Sequence, residues 1–157
     1  MKKEAQPFEF GIIRIADLTY FVNEIPKIIN EKVQLGYGMN FLFDTVENWV
    51  EFVVRVDFKD SDSGTSILSG STLTRFSVKN LNGFVNEEDV LVFPNDSVET
   101  LFGIAFSHMR AMLSKNAAGT KFNWIIVPII DAKQLFNDLL QHNVEVMKKL
   151  KKEKEVA

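Results

Sequence analysis

The sequence predicts an α+β fold, in which a four-stranded antiparallel sheet is followed by two helices packed on one of its faces. Two observations indicate this fold. Apolar side chains alternate with polar ones over four segments of the first half of the chain, and they recur at three- and four-residue steps in two segments of the second half. Short turns or one modest loop join the strand segments, which favours an antiparallel meander. Strands followed by helices are typical of α+β domains.

Each strand segment has its own pattern. The first alternates imperfectly, and its slip near Ile13 indicates a β-bulge or a strand that is buried on both faces. The second and third alternate clearly and are joined by a turn at residues 46–48, whereas the fourth follows the turn-forming residues 59–64. The expected strands are Phe8–Val22, Val33–Thr45, Trp49–Phe58 and Thr65–Lys79.

Two helices are expected in the second half of the chain. The first covers residues 94–118, and the second follows Pro128 with an apolar face that runs from Leu135 to Leu150. The segment between them, residues 121–127, is expected to be extended. The predicted caps are Asp96 with Glu99 and then Gly119 for the first helix, and Asp131 with Gln134 for the second.

A strip of small residues accompanies the apolar face of the first helix. Gly103, Ser107 and Ala111 fall four residues apart, so their side chains lie on one side of the helix. We interpret this strip as a surface on which another backbone can pack closely.

The composition is that of one globular domain, expected to span residues 1–157 with flexible ends at 1–7 and 151–157. The net charge of -3 argues against nucleic acid as the main partner. We recognise no signal peptide, and no apolar run has the length of a membrane span, so no membrane insertion is expected. A cytoplasmic location is the default expectation.

No residue pattern predicts catalysis or metal binding. The two histidines, His108 and His142, fall on different helices, and with no cysteine the chain supplies no set of three or four zinc ligands. Residues 60–64 superficially resemble a calcium loop but lack the full ligand series and the distal Glu, which favours a hairpin turn. We therefore expect a binding protein that uses no metal and no cofactor, rather than an enzyme.

Aromatic residues provide the main functional hint. The chain has 14 Phe, and most of them must fill the core between the sheet and the helices. Phe84, Phe122 and Trp124, however, fall in loop or extended segments near the second helix. Each is either a core residue or part of an exposed apolar groove that takes an extended peptide. The Lys-rich residues 148–154 could attract an acidic partner, but the interspersed glutamates favour a solvated helix end.

Several stretches carry a resemblance to a known family. They are Arg14-Ile15-Ala16-Asp17-Leu18-Thr19-Tyr20-Phe21 with Pro26 after it, Val50-Glu51-Phe52-Val53-Val54-Arg55-Val56, Arg75-Phe76-Ser77-Val78, and Gly119-Thr120 with Pro128 and Leu135-Phe136 beyond. In order and spacing, from about Phe8 to Leu140, they resemble the SecB protein-export chaperones.

The resemblance implies a homotetramer built from two dimers, with the first helices at the subunit interfaces, which would suit Gly103, Ser107 and Ala111. It also implies that unfolded polypeptide clients are held in apolar grooves without any catalytic residue. The positions that match the groove are Tyr20, Tyr37, Phe41, Phe84, Trp124 and Phe136.

The chain departs from the family where partner binding is concerned. In that family, acids on the outer face of the sheet pass clients to the translocase motor SecA. Asp17 matches one of these acids and is a candidate partner contact, whereas Phe21 and Ser69 stand where two others are expected. Two interpretations therefore stay open. One is a SecB-like holdase for unfolded chains, and the other is a specialised protein-binding or small-ligand-binding module, such as an antitoxin-guarding chaperone outside general export.

Overall fold

The computed structural model describes residues 7–23, 32–94 and 96–143, which form one sheet with two helices. The strands are β1 (Phe10–Val22), β2 (Val33–Asp44), β3 (Trp49–Asp60) and β4 (Ser66–Val78), and helix α1 spans Ser97–Ala117. A short 3₁₀ helix covers Leu81–Phe84, and α2 is described over residues 132–143. This confirms the predicted α+β fold with a four-stranded antiparallel sheet. No helix within the described residues is long and apolar enough to cross a membrane.

Some predictions fall outside the described residues. They concern Pro26 and most of the connection before β2, the flexible ends at 1–6 and 151–157, the Lys-rich residues 148–154, and the apolar face of α2 beyond residue 143.

The order of the strands differs in one respect from the predicted meander. Strands β2, β3 and β4 are consecutive neighbours as expected, but β1 pairs with β4, so that the order is β1-β4-β3-β2. This is the order of a Greek key. The physical reason is the length of the connections: the turns that follow β2 and β3 are too short for anything but a hairpin, whereas residues 23–32 can carry the chain to the far edge of the sheet.

Strand β1 is irregular at two points, as the slip in its alternation predicts. Its register against β4 shifts between Ile12 and Arg14, and again between Asp17 and Thr19. Each shift places one extra residue on β1, which is the geometry of a β-bulge. Beyond the second shift the pairing is firm, since the Thr19 and Ser71 hydroxyl oxygens lie 2.7 Å apart.

The core lies between the sheet and the helices. Phe52 on β3 is fully buried, and its ring centroid lies 4.9–6.4 Å from those of four other rings on β2, β4 and both helices. The four are Phe41, Phe76, Phe102 and Phe136. Helix α1 approaches β4 closely at Gly70, where a Cβ atom would lie 2.9 Å from Met112 Cε. A larger residue at this position would require the Met112 and Leu113 side chains to shift.

The helix caps agree only in part with the predictions. Asp131 is confirmed as the cap of α2, because its Oδ1 accepts the backbone N–H groups of Lys133 and Gln134. Asp96 precedes α1 but makes no capping hydrogen bond, so the predicted capping box is wrong. Its Oδ1 instead accepts a charged hydrogen bond from Lys133 Nζ at 2.6 Å, which ties the start of α1 to the start of α2. The predicted cap at Gly119 is also wrong, since this residue has no left-handed conformation.

One partly buried polar contact makes stability depend on pH. Thr74 Oγ1 lies 3.0 Å from His108 Nδ1, where burial lowers the pKa of His108 below its ordinary value of 6.5. The unfolded chain then binds a proton at a higher pH than the folded chain, so stability falls as the pH drops below that value. We expect His108→Gln to lose less stability than the wild type between about pH 7 and pH 5, as measured by urea unfolding. Identical pH profiles would contradict this assignment.

Candidate functional site

The six predicted groove residues do not form one site. Tyr37 and Phe41 lie on the helix side of β2, and Phe41 packs against Phe52, as Phe136 of α2 also does. Phe84 lies in a separate aromatic cluster, with its ring centroid 5.6 Å from that of Phe8 and 5.8 Å from that of Phe93. Tyr20 belongs to β1 at the other edge of the sheet, and Trp124 to the connection between the helices. Phe41 and Phe136 are therefore brought together around Phe52, and Tyr37 shares the helix side of β2 with Phe41 while its ring packs against Phe106.

The surface between β2 and α2 is the best-formed candidate. We call it the β2–α2 cleft and define it by Tyr37, Phe41 and Phe43 on β2 and by Phe136 and Asn143 on α2. The amide of Asn143 donates a hydrogen bond of 3.1 Å to the carbonyl oxygen of Met39, which holds α2 beside the edge of the sheet. Phe136 is only 5% exposed and packs against Phe52 and Phe102 in the core, whereas Phe43 is 40% exposed.

Strand β2 has an edge that is open to another strand. Within the described residues it pairs with β3 alone. Edge strands commonly carry lysine or proline, which discourage pairing with other chains, but Val33–Asp44 contains no Lys, Arg or Pro. The Met39 carbonyl oxygen is already bonded to Asn143, but the other outward main-chain N–H and C=O groups of this edge can bond an extended polypeptide, and the alternating apolar side chains of β2 can receive its side chains.

One polar atom at the cleft is left without a partner. The hydroxyl of Tyr37 is buried and makes no hydrogen bond within the described residues. Burial raises the pKa of Tyr37, and the positive charge of Arg110 partly opposes that shift. The Tyr37 ring packs against Phe106 at 5.6 Å, which fixes its direction. A buried hydroxyl without a partner costs free energy that a ligand could recover.

The connection between the helices has an inner and an outer side. Residues 121–124 form turns, so the expected extended segment is not a strand. Phe122 is 1% exposed and belongs to the core, whereas Trp124 is 48% exposed. Ile126 and Ile129 are even more exposed, at 76% and 85%. Of the two aromatic residues in this connection, Trp124 alone is available to a partner.

The predicted interface strip is divided. A Cβ atom on Gly103 would lie 3.4 Å from the Cβ of Ala132, so this residue faces α2 of the same chain. Ser107 and Ala111 are exposed. Asp17, the candidate partner contact, lies opposite Thr72 on β4, a buried residue of the helix side of the sheet.

Strand β1 carries an exposed apolar surface that sequence reasoning missed. Ile12, Ile15 and Tyr20 lie opposite helix-side residues of β4, yet they are 37–52% exposed because α1 covers β3 and β4 instead. Phe10, opposite Val78, is also exposed on this side, the unpaired bulge residues Ile13 and Leu18 are exposed as well, and Phe21, opposite Ser69, is exposed on the outer face. The slip in the alternation was the available signal, since a bulge allows more apolar residues to face one side.

Metal ligands do not converge in the part of the chain that the structure describes: no group of three His, Cys, Asp or Glu there could hold an ion.

No protein-family model and no curated protein matches the sequence. The fold is similar to that of the SecB-like chaperone Rv1957 of Mycobacterium tuberculosis, solved in complex with a ChAD peptide from the Rv1956 HigA1 antitoxin. The TM-score is 0.54 at 12% identity, over 77% of this chain and 89% of that chain. The chain thus has a SecB-like fold.

Proposed function

We propose that this protein is a chaperone that holds unfolded or partly folded polypeptides in the β2–α2 cleft, without catalysis. The observation that carries the proposal is the open, apolar edge of β2, whose helix side presents Tyr37, Phe41 and Phe43. The similar fold of Rv1957, a chaperone solved with a bound peptide, supports the same conclusion.

The cleft suits clients of many sequences. Main-chain hydrogen bonds to the edge of β2 do not depend on the client's side chains, and rings such as Phe43 accept any apolar residue. Each contact of this kind is weak, so useful affinity requires several sites on one particle. We therefore propose that the protein is a homo-oligomer, a dimer or a tetramer, in which one client can occupy several clefts.

The apolar surface of β1 is the surface we assign to the contact between two copies. It lies at the edge opposite β2, so its burial would leave the clefts open. A second copy of β1 would cover Ile12, Ile15 and Tyr20 and would pair the free edge of each strand with the other. The small residues Ser107 and Ala111 remain candidates for a further interface.

The cleft is tested by the suppression of aggregation of an unrelated, chemically denatured protein. We expect Phe43→Glu to lose most of this activity, because a carboxylate in the cleft disfavours apolar clients. Val46→Glu, which adds the same charge at a position 84% exposed in the turn after β2, is the matched control and should stay active. Equal activity of the two variants, or no activity of the wild type, would contradict the proposal.

Tyr37→Phe separates binding from stability. Removing a buried hydroxyl that has no partner should leave the free protein as stable as before, or up to about 1 kcal/mol more stable. If the hydroxyl bonds the client, the same change should weaken the binding of a fluorescently labelled unfolded peptide several-fold, as measured by anisotropy. A loss of stability without a change in affinity would show that Tyr37 is a structural residue only.

A dedicated role outside general export is the second candidate. Phe21 and Ser69, which stand where acids for the export motor are expected, lie directly opposite each other on β1 and β4. This pair of positions therefore presents no negative charge to a motor protein. A single high-affinity protein that copurifies with the oligomer, together with poor activity towards unrelated denatured proteins, would favour this role over a general holdase.

A further inference from the structure

The outer face of the sheet, which points away from both helices, has an unusual distribution of charge. Arg14 on β1, Arg75 on β4 and Glu51 on β3 lie in one row across the strands. Arg55 and Asp57 lie further along β3 on the same face, followed by Lys59. Asp44 at the end of β2 also belongs to this face, so the four strands place four cations and three anions on it, although the whole chain has a net charge of -3.

All three anions already have partners, and Asp44 Oδ1 accepts the backbone N–H groups of Val46 and Glu47. Arg75 donates to Glu51 Oε2 through Nε at 2.7 Å and lies over the Trp49 ring at 4.1 Å. Asp57 accepts the Ser66 hydroxyl and lies 3.5 Å from Lys59 Nζ. Within the described residues, the guanidinium groups of Arg14 and Arg55 have neither an ion pair nor a hydrogen bond, and both side chains are exposed.

The surroundings of Arg55 leave room for a ligand. Its neighbours across the strands are Gly38 on one side and Ser71 on the other. Gly38 and Gly36 floor a shallow depression of about 420 Å³ beside Arg55. Glycine inside a strand weakens the strand and often marks a site that another chain approaches closely.

The surroundings of Arg14 are crowded by like charge, and a negatively charged ligand would relieve the repulsion. It lies directly opposite Arg75, and like charges in opposed positions destabilise a sheet. Glu51 and Trp49 satisfy Arg75, so the charge of Arg14 is not compensated from within the sheet. A carboxylate placed beside Arg14 would remove the repulsion and gain a charge-assisted hydrogen bond.

We propose that the outer face binds an acidic, extended segment of a partner protein through Arg14 and Arg55. Two strand spacings and four residues along β4 separate these positions, which places them about 16 Å apart. An extended chain spans this distance in about five residues, so side chains about four to six residues apart can reach both arginines. One side-chain carboxylate can accept two parallel hydrogen bonds from one guanidinium group, so single acidic side chains at this spacing match two separate arginines.

The test uses the full chain and a labelled Gly/Ser peptide with glutamates at this spacing. Binding is followed by fluorescence anisotropy and compared with the same peptide in which glutamine replaces every glutamate. We expect the glutamate peptide to bind more tightly and to lose affinity as salt is added. Arg14→Gln and Arg55→Gln should each weaken it by about three- to fivefold.

Lys115→Gln on α1 is the charge-matched control and should leave the affinity for the glutamate peptide unchanged. The affinity of Arg55→Lys should lie between those of Arg55→Gln and the wild type, because lysine keeps the charge but not the planar guanidinium group. Equal affinity for the glutamate and glutamine peptides would overturn the proposal, as would an equal effect of Lys115→Gln. Tighter binding of a single-stranded oligonucleotide than of the peptide would also overturn it. The proposal stands apart from the β2–α2 cleft, so Phe43→Glu should not affect this binding.

Discussion

We expect Phe52→Ala to lower the free energy of unfolding by about 3–5 kcal/mol, the range measured for large aromatic truncations in well-packed cores. Phe52 is fully buried, and it is the ring at which β2, β3, β4, α1 and α2 meet. Its removal leaves a cavity that no single neighbour can fill without moving away from another. Urea unfolding at one fixed protomer concentration measures the effect, because association would otherwise contribute to stability.

Phe43→Ala is the matched control, since it makes the same chemical change on the neighbouring strand at a residue that is 40% exposed. It should cost far less than Phe52→Ala. If Phe52→Ala does not fold, Phe52→Leu should still fold with a smaller loss, because most of the buried volume is kept. Similar losses at positions 43 and 52 would show that the core is not centred on Phe52.

We expect Ile15→Lys to break the contact between two copies at β1, which converts a dimer into monomers and a tetramer into smaller assemblies. Ile15 lies on the helix side of β1, opposite the buried Thr74, in the middle of the surface that we assign to the second copy. A lysine there would have to be buried without a carboxylate partner, which raises the dissociation constant by about 100-fold or more. Light scattering coupled to size-exclusion chromatography measures the change in mass directly.

The control for this variant is Ile129→Lys, which makes the same substitution at a residue 85% exposed on the connection between the helices. That variant should keep the mass of the wild type. A wild type that is monomeric at micromolar concentration, or an Ile15→Lys variant that keeps the mass of the wild type, would refute the assignment of β1. Activity measured on the smaller Ile15→Lys protein would then show how much holding depends on several clefts in one particle.

The alternation and periodicity of apolar side chains predicted most of the fold, because the bounds of a strand or helix depend mainly on residues that are close in the sequence. Strands β2 and β3 each bury one side, so their period of two marks their bounds within one or two residues. The partner of β1 could not be read in the same way, because a long connection permits either edge of the sheet. Asp96 shows a second limit: its carboxylate chooses between nearby N–H groups and Lys133, and only the folded chain brings the lysine within 2.6 Å.

The candidate site was harder to predict than the fold. Tyr37 and Phe41 were found because they belong to the alternating side of β2, where the pattern is regular. Phe122 and Trp124 differ by two residues in a connection without a regular period, so the sequence could not show that the first is core and the second exposed. Arg14 and Arg55 became a pair only through the register of β4 between their strands.

The first bulge of β1 has a consequence for how this sequence can vary. In a regular strand, successive side chains alternate between the two faces of the sheet. The extra residue Ile13 shifts this alternation by one residue, so that Ile12 and Ile15 lie on the helix side and Arg14 lies on the outer side. If the strand ran on from Ile12 without a bulge, Arg14 would point towards the helices and Ile15 would point outward. Loss of the bulge would therefore remove Arg14 from the outer face and Ile15 from the apolar surface of β1 at the same time, although these surfaces lie on opposite sides of the sheet. Deletion of Ile13 itself would preserve both surfaces, because Ile12 and Arg14 already pair with consecutive residues of β4.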